Sequence, residues 1–467
     1  MTEDDKELYV PRRKGKVAGL ATPFAKAYVE RERRKREEVA HSPLLSRSAI
    51  SGRGCLHLRE EENGTGTLLV NGSIVVHVNV TALLYLKLLF SNEVDERILR
   101  RITSKFKVSS TIARQDLARL RSDLERLEHG EPPARGTRVE PLSGMHVAPM
   151  RADLALTYRT KDTEGKSPPS GAPKDLLVEE WLKALDNLWT FGVPHVCITG
   201  GEPTLREDLV EIVEHASSLG MMVGLLTDGE RLGSHAFLGR LLDAGLAYVQ
   251  ISIASHDETI HAKVTSSPEH RKTVNAIRHC IKEGLPVLVN VPITKESEYD
   301  VEETVNFLVK LGVKDITVSS LGTGEKAVPD WMVSKSLERA RKAARGHARI
   351  FYFGPLAGKA PPQIAPGDTA PVGDLAIGDL EWGAGLVSIH VHPDGSVTGG
   401  RGHTSVLGNV LTHSWNMIWY HSLLKDIRAK QLEGRRWRAL QELGFNGYPL
   451  FPGLKVQSEP DESKENI

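Results

Sequence analysis

Cysteine is the scarcest chemistry-bearing residue in this chain: 467 residues contain three, Cys55, Cys197 and Cys280. None lies at the short spacing of a zinc knuckle or a local thiolate cluster, so neither can be written in any register. Cys197 falls in the apolar run Val196 to Thr199 and reads as a small buried hydrophobe; Cys55 and Cys280 read as structural. Long hydrophobic runs are missing too. No stretch approaches the ~18 apolar residues of a membrane span, and the opening MTEDDKELYVPRRKGK lacks the apolar centre of a signal peptide. The expectation is a cytoplasmic protein with no membrane partner. Net charge is absent as well, with 60 basic against 60 acidic residues. At 40% hydrophobic and 26% charged, the composition suits large cores in two to four domains and not a disordered chain.

What is present divides along the chain. Residues 1–50 carry mixed charge runs, notably Arg31 to Glu38, and read as a charged tail or solvated helix because acids interleave with the bases. A compact module is expected over 51–130. Its hairpin, Leu68 to Val78, turns at Asn71-Gly72, a strong short-range turn signal. Helical patterns follow at 80–90, 94–105 and 110–128, the last apolar at Ile112, Leu117, Leu120, Leu124 and Leu127. Strand pair plus three helices is a winged-helix α+β layout. Residues 131–150, with Gly130 to Gly136 rich in Pro and Gly, read as a linker.

From 151 to 355, strands near 152–158, 193–199, 222–227, 247–253, 286–292 and 314–319 alternate with helices near 175–190, 207–219, 235–245, 270–284, 299–312 and 333–345. Such alternation implies a parallel sheet covered by helices. Six units fit an open, partial barrel whose ligands sit at the carboxyl ends of the strands. Residues 356–385 form a Pro/Gly-rich linker or lid. A hairpin over Leu386 to Val397, then Leu407 to Val410 and Ser414 to Trp419, occupies 386–455, and 456–467 is a polar tail.

The segment Thr199-Gly200-Gly201-Glu202-Pro203-Thr204 follows a strand and opens a helix. Glycines let backbone amides approach a ligand, and a helix start favours an anionic group. A plainer account is a capping box between Thr204 and Glu207 after a glycine turn. The segment resembles the GGEP signature of radical S-adenosylmethionine (SAM) proteins. Thr227-Asp228-Gly229 resembles their Thr-Asn-Gly turn after the third strand, Ser252 with Ser255 to Asp257 their hydroxyl and acid region after the fourth, and Asn290 the ribose-facing position of the fifth. The resemblance implies an α/β fold with a partial (β/α)6 TIM-like barrel and a SAM or nucleotide pocket at Gly200, Gly201, Glu202, Pro203, Thr227, Asp228, Ser252 and Asn290. The module at 51–130 is similar to the peptide-recognition domain of the pyrroloquinoline quinone peptide chaperone type. Residues 386–455 resemble the SPASM extension.

One part of the pattern is missing. Radical SAM proteins carry CxxxCxxC after the first barrel strand, where three thiolates hold a 4Fe–4S cluster. Here Thr160, Glu164 and Ser167 stand at the matching offsets, and oxygen ligands replace soft thiolates poorly. The SPASM ligand positions are empty too: Gly399-Gly400, Glu433 to Trp437 and Phe445 to Leu450 contain no cysteine. A metal site is therefore not expected, and a 4Fe–4S cluster is expected to be absent. His390, His392 and His403 offer no convincing metal set, and the first two read as strand-surface histidines; His256 and His261 lie near the barrel mouth.

The leading expectation is a cluster-free scaffold that retains a ligand pocket and presents a peptide or protein partner through residues 65–128, within a peptide or cofactor maturation system. An enzyme of changed, non-radical mechanism is the alternative, with Glu202, Asp228, Asp257 or a histidine as acid–base groups. A winged-helix nucleic-acid-binding regulator is the third reading. Arg114, Arg119, Arg121 and Arg126 would serve it, but Asp116, Asp123 and Glu125 interleave with them.

Overall fold

The computed structural model describes residues 44–48, 55–72, 74–128, 146–161, 174–320, 328–353, 376–377, 385, 387–400 and 404–433. The amino-terminal module is a four-stranded antiparallel meander, β1 (Leu44–Ser48), β2 (Cys55–Glu60), β3 (Gly66–Val70) and β4 (Ile74–Val78). Asn71 and Gly72 turn the last hairpin with φ of 51° and 67°, a left-handed pair that these two residue types tolerate best. Helices α1 (Val80–Phe90), α2 (Asp95–Phe106) and α3 (Ser110–Glu128) follow, α1 being capped by Asn79, whose side chain accepts from the Ala82 amide at 2.9 Å. Leu56, Leu58, Leu86, Ile98, Ile102, Leu117, Leu124 and Leu127 share one core. Ile112 is 49% exposed, against expectation. The buried stripe of α3 runs through Ala113, Leu117, Leu124 and Leu127, and Ile112 lies one residue, about 100° of helix, off it. Arg121 is engaged with Asp95 at 2.6 Å. Strand β1 falls inside the stretch expected to be a charged tail; Leu44 is buried and pairs its strand with β2.

The barrel strands are β5 (Arg151–Thr157), β6 (His195–Gly200), β7 (Met222–Thr227), β8 (Tyr248–Ser252), β9 (Val287–Pro292) and β10 (Asp315–Ser319), all near their expected positions. Between them lie α4 (Val178–Thr190), α5 (Leu209–Leu219), α6 (His235–Asp243), α7 (Glu258–Thr265), α8 (His270–Lys282) and α9 (Val301–Lys310). Helix α10 (Asp330–Ala344) leads to a seventh strand, β11 (Arg349–Phe353), and β12 (Ala376–Ile377) adds to it. Neighbours from β5 to β12 all pair in parallel, giving the α/β, partial-barrel fold that the alternation predicts. Register places Cys197 beside Asp153 and Gly224. A Cβ on Gly224 would lie 2.0 Å from Tyr248 Cζ, so glycine there makes room for the Tyr248 ring.

Strands β13 (Ser388–Val391), β14 (Ser396–Thr398) and β15 (Val406–Asn409) extend the same sheet, β13 pairing in parallel with β5. The Asp394-Gly395 turn forms as expected, Asp394 accepting from the Ser396 amide at 3.0 Å. Helices α11 (Trp415–Trp419) and α12 (Ser422–Glu433) follow. The indoles of Trp415 and Trp419 donate to the carbonyls of Val147 and His146 at 3.0 and 2.6 Å. Residues 146–150, expected to be linker, are thus tied down. Arg59 holds them from the other side: its guanidinium donates to Glu61 Oε1, to the Pro149 carbonyl and to the Gly192 carbonyl at 3.0, 3.1 and 3.0 Å. Burial raises the Glu61 carboxyl, and the Arg59 and His146 charges overcome it, leaving the group well below the carboxylate range. No helix among the described residues is long and apolar enough to cross a membrane.

Candidate functional site

The site forms where β5, β6 and β7 end. Strand β6 finishes at Gly200, whose φ of 131° disfavours any residue with a Cβ. The following backbone runs against the segment after β5: the Gly201 amide donates to the Thr157 carbonyl, and the Glu202 amide to the Arg159 carbonyl, both at 2.8 Å. A Cβ on Gly200 would lie 2.1 Å from the Thr157 carbonyl oxygen, and one on Gly201 2.2 Å from that of Arg159. Backbone packing between two loops therefore accounts for the glycine pair before any ligand is invoked.

Glu202 closes the turn. Its Oε1 accepts from the Thr204 amide at 2.8 Å, the Thr204 hydroxyl at 2.5 Å and the Thr227 hydroxyl at 2.9 Å, and its Oε2 from the Asp228 amide at 2.8 Å. The Thr204 hydroxyl, expected to cap a helix with Glu207, is used on Glu202 instead. Pro203 opens the short 3-10 turn Pro203–Leu205, and α5 begins later, at Leu209. Burial raises the Glu202 carboxyl to about 7, the Asp228 charge adds to this, and the amide and hydroxyl donors pull it back. Asp228 is raised by burial against the opposing charge of Lys161. Two carboxyls thus meet in a space that favours one proton between them.

The β7 turn continues the site. Thr227 Oγ1 accepts from the Gly229 amide at 3.0 Å and Asp228 Oδ1 from the Glu230 amide at 2.9 Å. Glu230 is 5% exposed; Ser267 donates to its Oε1 at 2.6 Å, and Lys161 forms an ion pair with its Oε2. Sequence reasoning passed over both Lys161 and Glu230, because nothing local marks residues from separate strand ends as partners.

Further round the sheet, Ser252 and Asn290 are register partners, and Asn290 Nδ2 donates to Ser252 Oγ at 3.4 Å. Thr317 is the next residue in register, 6% exposed, its hydroxyl without a hydrogen-bond partner among the described residues. It extends the polar row by one strand, and its place in β10 was the available signal. The expected residues thus form two groups: Gly200 to Pro203 with Thr227 and Asp228, and Ser252 with Asn290.

The remaining candidates have local duties. Asp257 caps α7, accepting from the Thr259 and Ile260 amides at 2.8 and 2.9 Å. His256 Nδ1 lies 3.2 Å from Asp300 Oδ2. His261 is buried and lowered to about 4 by desolvation, with His270 adding to the shift. His390 is 3% exposed, contrary to its expected surface position, because its strand pairs with β5 and directs it to the same side as Asp153. His392 Nδ1 lies 2.5 Å from the Tyr158 hydroxyl. His403, Glu164 and Ser167 lie outside the described residues, as do the SPASM-like positions 434–437 and 445–450. Among the described residues, no three His, Cys, Asp or Glu side chains could hold a metal ion.

A thiolate-held cluster needs cysteine donors near the end of β5. The described residues after β5 are Tyr158, Arg159, Thr160 and Lys161, and the sequence holds no cysteine from 56 to 196. Cys55, Cys197 and Cys280 sit in β2, β6 and α8; burial pushes the Cys55 and Cys280 thiols up to about 12. These residues do not fit the group.

Residues 157–308 match the family model of the radical SAM superfamily. The chain is 33% identical to the PqqA peptide cyclase of Bradyrhizobium diazoefficiens over 194 residues, 39% of this chain and 51% of that protein. It is 35% identical to a probable GTP 3′,8-cyclase of Methanopyrus kandleri over 179 residues, 37% of this chain and 55% of that one. The chain spans about half the length of these curated relatives. Among solved structures, SuiB of Streptococcus suis bound to S-adenosylmethionine is similar with a TM-score of 0.55 at 13% identity, covering 83% of this chain and 89% of that one. The same protein bound to its precursor peptide SuiA gives 0.52 at 14%. These likenesses show the fold.

Proposed function

We propose that the chain is a cluster-free relative of peptide-modifying radical SAM proteins, retaining the ligand pocket at the strand ends and acting as a peptide-presenting scaffold. The observation that carries the reading is the residue set after β5, where the hydroxyls of Thr160 and Ser167 and the carboxylate of Glu164 stand at the offsets of three thiolates. Thiolates are the ligands such a cluster needs, and the oxygen donors here are hard by comparison. The pocket residues are Gly200, Gly201, Glu202, Pro203, Thr227, Asp228, Ser252 and Asn290, with SAM or another nucleoside as ligand.

Residues 51–130 are the peptide-recognition module in this reading, and 386–455 the SPASM-like extension. Strand β4 ends its sheet, which suits addition of a partner strand. The curated and structural relatives named for peptide substrates support a peptide partner. Anaerobic reconstitution with iron and sulfide tests the central claim. The expected result is no iron or sulfide retained after gel filtration; stoichiometric iron and sulfide overturn it.

One observation favours a second reading. The buried Glu202–Asp228 pair, its acidity shifted toward neutrality, suits general acid–base chemistry of a non-radical enzyme. Incubation with SAM followed by mass spectrometry separates the two. Unchanged SAM supports the scaffold, and a stoichiometric cleavage or transfer product supports the enzyme.

A further inference from the structure

Lys161 lies beyond the end of β5, yet its partner is Glu230, beyond the end of β7. Strands β5 and β7 are separated by β6, so their ends stand roughly 10 Å apart at the usual strand spacing. The ion pair therefore links the segments on either side of the end of β6, where the Gly200 to Glu202 turn lies. Its ammonium meets a carboxylate whose side chain is 4% exposed, while the lysine side chain is 39% exposed. The stem runs in from the surface and the charge is held inside. Glu230 is fixed for this role by the Ser267 hydroxyl on its other oxygen, and the Lys161 charge also bears on Asp228.

We propose that Lys161 is a built-in cation of this pocket, held by Glu230, and that any ligand carrying a protonated amine must displace it before reaching the Glu202, Asp228 and Glu230 carboxylates. The inference rests on the pocket reading and deepens it by naming what competes for the site. A buried carboxylate left without its cation is costly, so the pocket stays neutralised whether or not a ligand is bound. A nucleoside without an amino-acid tail has no such competition. The pocket therefore discriminates against its own amine-bearing ligands by the strength of one ion pair, and releasing that pair is the step on which their binding turns.

Two measurements on the full chain test this. In reductive methylation read by mass spectrometry, Lys161 is expected to react about tenfold more slowly than the exposed Lys310, because its ammonium must first leave the buried Glu230 carboxylate, the size of one charge-assisted contact. Glu230→Gln should restore the faster rate. Ser267→Ala, which loosens Glu230 without removing it, should give an intermediate rate and guards against a misfolded first variant. Equal labelling of Lys161 in wild type and both variants overturns the inference.

Calorimetric titration with SAM and with adenosine completes the test. Lys161→Ala should bind SAM about tenfold or more tightly than wild type, the size of one charge-assisted contact, with adenosine unchanged. Equal SAM affinity in the two proteins overturns the inference and leaves the pocket reading standing. No SAM binding to either, with Lys161 still slow to label, keeps the lysine as a permanent occupant and overturns the pocket reading.

Discussion

The Asp228 amide donates to Glu202 Oε2 at 2.8 Å, joining the ends of neighbouring strands and setting two carboxyls side by side where burial raises both. Such a pair shares protons, so its titration belongs to both residues. Lys161 bears on one of them directly, which ties the segment after β5 electrostatically to the turn after β7.

The pair makes stability depend on pH. In the fold Glu202 titrates near 7, raised from 4.5, so the folded chain holds a proton that the unfolded chain releases. This stabilisation is fully present below pH 4.5 and is lost as pH rises through 7, amounting to at most about 3 kcal/mol. Urea unfolding of wild type and Glu202→Gln across that window should show the decline in wild type only. Parallel profiles would remove the carboxyl from the explanation.

Glycine substitutions separate backbone contact from conformational freedom. Gly201→Ala places a Cβ against the Arg159 carbonyl oxygen at 2.2 Å and should cost about 2 kcal/mol or more, as overpacking does. Gly239→Ala in α6 meets nothing within 4 Å and should stabilise by about 0.5–1 kcal/mol through helix propensity. Thermal unfolding of the two variants should move in opposite directions.

The buried Arg59–Glu61 pair is asymmetric to deletion. Arg59→Met leaves the Glu61 carboxylate buried and should cost about 3–5 kcal/mol. Adding Glu61→Gln should recover part of that loss. A double-mutant cycle in which the two effects simply add would show that the pair is not coupled.

Thr317→Val replaces a buried hydroxyl without a hydrogen-bond partner among the described residues. The cost of burying that hydroxyl disappears, so a gain of about 1 kcal/mol is expected. Weaker adenosine binding by the same variant would place the hydroxyl on the ligand. Stability and affinity both unchanged would mean that it does neither.

Local signals carried most of the fold. Asn71-Gly72 set a hairpin, Asn79 capped α1, and the βα alternation placed six strands within a few residues. Strand β1 was hidden because its flanks are charged, and its burial comes from pairing with β2, a long-range event. Helix α7 is not legible in the sequence, because the Asp257 side chain that caps it reads equally as an acid for chemistry. The glycine turn was visible as a motif, but its reason was not: the nearest atoms are carbonyls from the preceding strand end. The Lys161–Glu230 pair is a product of topology alone, since neither residue belongs to a local pattern. His390 was misplaced because strand alternation cannot say which face is covered.

Strand β13 lies beside β5 in the finished sheet, although the barrel strands β6 to β11 are synthesised between them. While the chain emerges, the outer edge of β5 stays open until residues 388–391 exist. An open edge is a template for wrong partners, so the risk of aggregation during synthesis is set by the late arrival of β13. A chain interrupted before residue 388 would keep that exposed edge for its whole lifetime.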